Sequence, residues 1–156
     1  MADEQVVWTG HPAQIINLGV YLLCGVLAGL AVVVGYALDD RLALLAILPV
    51  AVAAWKWLDT RCQVYELTTE RLRRRTGVLS RRTDDLELYR VKDTTLLEPF
   101  FLRLFSLGHV VVTTNDTTTP TLVIPAVPGA SALREQIRRY VEARRAAKGV
   151  RVAELE

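Results

Sequence analysis

Residues Ala13 to Ala37 read AQIINLGVYLLCGVLAGLAVVVGYA, without a single Asp, Glu, Lys, Arg or His. About 20 consecutive apolar residues cross the hydrocarbon core of a bilayer. This run also lacks the polar edge that a soluble core helix keeps toward water. A cleaved leader fits poorly, because Asp3 and Glu4 stand where a basic region belongs and the apolar stretch is longer than a leader needs. After the break Leu38-Asp39-Asp40-Arg41, a second apolar run spans Leu42 to Leu58. Its one charge, Lys56, lies near an end from which a long side chain snorkels to the interface. Only Leu42 to Trp55 is strictly uncharged and Pro49 sits mid-run, so a kink or a locally thinned bilayer is expected there. The two runs predict a transmembrane helical hairpin over residues 13–59.

With 156 residues, the chain has room for this hairpin of roughly 45 residues and one domain of about 100, near the common domain size. The net charge of +2 is unevenly spread. The N-terminal segment and the inter-helix turn are acidic, while Lys56, Arg61, Arg71, Arg73, Arg74, Arg75, Arg81 and Arg82 follow close on the second span. Under the positive-inside rule both termini face the cytoplasm and the Asp39-Asp40-Arg41 turn faces out, as in a multi-pass protein of the cytoplasmic membrane. Trp8, Trp55 and Trp57, with Lys56, read as markers of one membrane interface, so residues 1–12 are expected as an interfacial segment whose Pro12 starts the first helix.

From Cys62 onward the pattern turns to short β-rich runs. Gln63 to Leu67, Arg71 to Thr76 and Asp85 to Tyr89 read as strands, the last with Leu86 and Leu88 inward. Val91 to Glu98 continues as a strand beginning near Asp93. His109 to Thr114 and Thr121 to Ile124 form a hairpin around Asn115-Asp116, closed by Pro125. Between them, residues 99–107 read either as a short helix or as a membrane-facing loop. Ser131 is an expected N-cap for an amphipathic helix with Leu133, Ile137 and Val141 on its stripe and Arg134, Arg138, Arg139, Arg144 and Arg145 on a solvated face. The β domain is placed at residues 60–147, with a mobile tail over 148–156.

Cys24 and Cys62 lie at different depths and read as free thiols. No Cys/His cluster has metal-ligand spacing, so neither metal nor cofactor is expected. Basic residues are not interleaved with aromatics, which argues against nucleic acid. Serines 80, 106 and 131 sit in turn or cap contexts without a base, and the reading is non-enzymatic. Two surfaces stand out. Arg71, Arg73 and Arg75 on one strand face, with Arg81 and Arg82 on the next strand, would attract anionic headgroups weakly; the competing reading is a solvated face partnered by Asp84, Asp85 and Glu87. Gly25 and Gly29, extended to Gly35, form a small-residue face that either packs on Ala43, Ile47, Val50 and Ala54 of the second span or mediates a homo-oligomer.

The two spans, then Tyr65-Glu66-Leu67-Thr68-Thr69-Glu70-Arg71-Leu72, then Arg75-Thr76-Gly77-Val78-Leu79-Ser80-Arg81-Arg82-Thr83, then Leu88-Tyr89-Arg90-Val91-Lys92-Asp93 and Arg103-Leu104-Phe105-Ser106-Leu107-Gly108, resemble the bacterial pleckstrin-homology-like family of small membrane proteins (bPH2, YdbS-type), from about Glu4 to Val141. The resemblance implies a membrane α hairpin plus a mainly-β domain: a strongly bent antiparallel sheet of about seven strands closed by a C-terminal amphipathic helix. It implies no established enzymatic activity. Eukaryotic lipid-binding relatives hold inositol phosphates beside a long loop between their first two strands; taking Gln63 to Leu67 as the first strand, that loop is only Thr68-Thr69-Glu70, so phosphoinositide recognition is not implied. The expectation is a membrane-anchored interaction or scaffold module with an unidentified protein partner and weak lipid contacts. The alternatives are an accessory subunit of a transport or envelope-maintenance complex, or a weak anionic-lipid sensor.

Overall fold

The computed structural model describes residues 4–116 and 120–149. Its elements run β1 (Val6–Gly10), α1 (Leu18–Leu38), α2 (Ile47–Arg61), β2 (Val64–Thr68), β3 (Arg71–Thr76), β4 (Arg82–Glu87), β5 (Val91–Leu97), α3 (Phe100–Leu104), β6 (Leu107–Thr114), β7 (Thr121–Pro128) and α4 (Ala130–Lys148), with 3-10 turns at Gln14–Asn17, Asp40–Ala46 and Leu88–Arg90. Two helical segments, Gln14–Leu38 and Arg41–Arg61, are long and apolar enough to cross a membrane. The strands form two antiparallel sheets, ordered β1-β2-β3-β4 and β5-β6-β7, with β1 preceding the helices and the others following them, and α4 closes the assembly. The seven antiparallel strands and the closing helix are those that the resemblance implied, but they are divided between two sheets of four and three strands instead of one continuous sheet.

The largest difference concerns the N-terminus. Residues 6–10, expected as an interfacial segment, form the edge strand β1, which pairs antiparallel with β2 (Thr9 opposite Glu66, Gly10 opposite Tyr65). The domain boundary drawn at residue 12 therefore moves, and the hairpin is an insertion between the first and second strands of the β domain. The first inter-strand connection is thus residues 11–63, and Thr68-Thr69-Glu70 belongs to the β2–β3 turn. Trp8, expected at headgroup depth, is partly buried against the core of this domain. Its ring lies over Gly10, where an added Cβ would come within 2.3 Å of it.

In the hairpin, Asp39 leaves the helical conformation and its carboxylate accepts the N–H of Arg41 at 2.9 Å. The chain then turns through the 3-10 segment before α2 begins at Ile47. Pro49 accordingly falls in the first turn of α2, where a missing N–H has no intrahelical partner to lose. Gly35 is buried against Ala43, whose backbone nitrogen would be 2.7 Å from a Cβ at that position. Gly25 and Gly29, in contrast, face open space: beyond its own stretch of helix, a Cβ at either meets nothing within 4 Å. Intramolecular packing of the small-residue face is thus found at Gly35 and not at Gly25 or Gly29. At the other end a polar cluster ties the helices together. Asn17 Nδ2 donates to Thr60 Oγ1 at 2.6 Å, Tyr21 Oη donates to Gln14 Oε1 at 2.6 Å, and Gln14 Nε2 donates to the Trp57 carbonyl at 3.1 Å.

The β-domain core follows period two in the strands and four-residue steps in α4. Tyr65, Leu67, Leu72, Leu86, Val110, Val112, Leu122 and Ile124 meet Leu133, Ile137 and Val141 in one buried cluster. Leu88 also points inward, but from a 3-10 turn, because β4 ends at Glu87. β7 continues to Pro128, past the expected stop at Pro125, which an edge strand tolerates. The α4 cap is Gly129 in the left-handed region, not Ser131, which lies within the helix. Of the expected tail, Lys148 ends α4 and Gly149 caps it; residues 150–156 lie outside the described residues.

Candidate interaction surface

Strand alternation brings Arg71, Arg73 and Arg75 to one face of β3, as expected, but each meets a carboxylate there. Arg71 pairs with Glu4 at 3.1 Å and Asp85 at 3.4 Å; Arg73 with Asp85 at 2.9 Å and Glu66 at 3.7 Å; Arg75 with Glu66 at 3.2 Å. Three cations thus face three carboxylates. The ladder offers little of the unopposed positive field that a headgroup patch requires. Arg82 is drawn to Asp84 at 2.8 Å, and Arg81, exposed in the β3–β4 turn, has no ion pair among the described residues. Glu4 and Glu66, absent from the partners expected for this face, become visible as partners once β1 and β2 are registered against β3.

The opposite face of the same strands holds a second row, Tyr65-Arg74-Asp84, set by the register of β2, β3 and β4. Arg74 reaches Asp84 Oδ2 through Nη2 at 2.7 Å and Nε at 3.2 Å. Burial pushes the Tyr65 hydroxyl above its ordinary pKa, partly offset by Arg74. Hydrogen bonding from Arg74 holds Asp84 below the usual carboxylate range, and Arg73 does the same for Asp85. Both folded-state values lie below the unfolded value of about 3.9, so this stabilisation is present above that value and is lost as pH falls through the folded-state values. Acid denaturation in detergent should therefore steepen below about pH 4. Asp84→Asn should flatten the acid limb more than Asp85→Asn, since Asp84 is the less exposed of the two (15% against 36%); equal acid limbs in all three proteins would count against the ladder.

α4 is held down by residues expected on its solvated face. Arg144 pairs with Glu70 of the β2–β3 turn, and Arg145 Nη2 donates to the Val91 carbonyl. Between β5 and α4 lies an open polar cleft of about 370 Å³, lined by Lys92 and Asp93 on the strand and by Arg134, Arg138, Glu142 and Arg145 on the helix. Four cations face two carboxylates there, and β5 is the outer strand of its sheet. Of the remaining expected site residues, Trp55 and Trp57 are about half exposed on α2, Lys56 is exposed between them, and the Arg61 guanidinium lies 5.4 Å from the Trp57 ring centre. The thiols of Cys24 and Cys62 are free, and no metal-binding group of His, Cys, Asp and Glu forms among the described residues.

An apolar helical hairpin threaded between the first two strands of a two-sheet, helix-capped β domain defines a hairpin-bearing pleckstrin-homology-like protein. The family model described as the bacterial PH domain matches residues 14–141, and the chain belongs to that family. Neither a curated protein nor a solved structure matches it.

Proposed function

We propose that the protein is a non-enzymatic, membrane-anchored interaction module: the hairpin crosses the cytoplasmic membrane twice and presents the β domain to the cytoplasm, where the β5–α4 cleft takes an acidic segment of a partner protein. The observation that carries this reading is the insertion of the hairpin between β1 and β2. A domain whose first two strands enter and leave the anchor stays at the bilayer surface by construction. Lys56 and Arg61 at the inner end of the second helix, followed by the arginines of β3 and the β3–β4 turn, support the cytoplasmic orientation. The internal neutralisation of the Arg71-Arg73-Arg75 face argues against an anionic-lipid sensor. The absence of an ionisable residue from the centre of either run weighs against transport by the hairpin itself.

The cleft suits an extended acidic segment for two reasons. Its charge is positive on balance, and an outer strand offers backbone groups to a segment laid beside it. Self-association through the open Gly25 and Gly29 face is compatible with this role and independent of it. A photocrosslinking amino acid placed at Arg138 in cells should give a discrete adduct, and the double change Lys92→Glu, Arg134→Glu should reduce that adduct severalfold. The same probe at Arg73 should give none. An adduct from position 73 alone, or one indifferent to the charge reversals, would move the docking site off the cleft.

A further inference from the structure

We propose that the arm carrying α3 is a third membrane contact, whose aromatic side chains lie at headgroup depth in the leaflet from which the hairpin emerges. This rests on the membrane reading of the hairpin. The register of the second sheet places the arm. Ala13, at the start of the first span, donates its N–H to the carbonyl of Ala126 on β7 at 2.9 Å. Ala126 in turn donates its N–H to His109 Nδ1 on β6 at 3.0 Å, and His109 stands opposite Leu97 on β5. At about 4.8 Å per strand, Leu97 is about 10 Å from the point where the hairpin docks. β5 ends there, α3 begins three residues later, and the chain returns to the same row at Leu107 to His109. The arm therefore extends from the end of the sheet nearest the spans.

Its composition fits that position. Phe100, Phe101, Leu104 and Phe105 are 77%, 75%, 71% and 57% exposed, while Leu102 alone turns inward and seats the arm on the domain. Arg103 is exposed among them. Four large apolar side chains gathered on one five-residue helix and its cap form a patch of the kind that marks a protein or membrane contact. The membrane is the occupant favoured here because a second apolar tip lies on the same side. The β3–β4 turn runs beside Cys62 at the end of α2 and carries Leu79, 87% exposed, next to Arg81 and Arg82. Apolar tips with neighbouring arginines thus flank the hairpin base, the arrangement in which rings enter the acyl boundary and cations remain among headgroups. The hairpin already confines both tips near the surface, so their effective concentration at the interface is high.

The test uses the full-length protein in liposomes, in a Cys24→Ala, Cys62→Ser background. An environment-sensitive fluorophore is attached to a cysteine replacing Phe101, Asn115 or Leu30. On the proposal, the label at 101 is quenched severalfold more by lipids with a nitroxide near the headgroup than by lipids with one deep in the chain. The label at 115, at the far end of β6, is quenched by neither, and the label at 30 is quenched most by the deep nitroxide. Changing Phe100, Leu104 and Phe105 to Ser should cut the shallow quenching at 101 severalfold. If position 30 escapes lipid quenching, the membrane reading fails. If 30 is quenched and 101 is not, the membrane reading stands and the arm contact is overturned. Shielding of 101 from a water-soluble quencher without lipid quenching would assign the patch to a protein and also overturn the proposal.

Discussion

Ile137→Ala lowers the stability of the β domain by about 2–5 kcal/mol, the usual range for truncating a buried aliphatic side chain. Ile137 is fully buried at the centre of the α4 stripe and joins the cluster that contains side chains of both sheets. The neighbouring sheets cannot follow a retreating side chain without disturbing the pairs that fix their register, so much of the cavity should persist. Leu79→Ala deletes a side chain of the same size from a position 87% exposed in the β3–β4 turn; in detergent its effect should stay within about 0.5 kcal/mol. Denaturant unfolding of the full-length protein in mild detergent, followed by protease resistance of the β domain, measures both. Equal losses in the two variants would mean that α4 does not close the core as described.

The two long apolar helices and most strands were legible because each carries its signal locally. An uncharged run announces a long apolar helix, and alternation over five or six residues announces a strand such as β3, whose limits Arg71 and Thr76 agree with the sequence reading. β1 was not legible. Val6–Gly10 is short, its exposure does not alternate cleanly, and its partner Tyr65 lies beyond the entire hairpin. Trp8 beside an apolar span has an equally good local explanation as an interface anchor, and only the long-range pairing decides between the two. The arginine ladder was half legible. Period two puts Arg71, Arg73 and Arg75 on one face, and Asp85 on the neighbouring strand is a partner that the sequence itself suggests. Glu66 could also have been found: a β2–β3 turn at Thr69-Glu70 sets Leu67 opposite Leu72 and hence Glu66 opposite Arg73. Glu4 could not, because it depends on β1. The roles of Arg144 and Arg145 were hidden for the same reason: a helical wheel shows which side is polar, not which arginines meet an acidic turn or a strand carbonyl on another element. The Gly25 and Gly29 face shows the converse limit, since small residues at helical spacing indicate close approach but do not name the surface that approaches.

The second large effect is all-or-none and concerns the anchor. The hairpin turn and the β domain should lie on opposite sides of the cytoplasmic membrane, because Lys56 and Arg61 crowd the end of the second helix while acidic residues occupy the turn. The positions that report it are well separated in the structure. Arg41 is exposed in the inter-helix turn, and Asn115 is exposed where β6 meets the β6–β7 connection, at the end of the sheet away from Ala13 and Ala126. In the background without native thiols, single cysteines at these two sites are exposed in intact cells to a thiol reagent that cannot cross the membrane. The account predicts that cysteine 41 is labelled in intact cells and that cysteine 115 is labelled only after permeabilisation. Labelling of 115 but not 41 in intact cells would reverse the orientation, and protection of both until permeabilisation would contradict a hairpin that crosses the membrane at all.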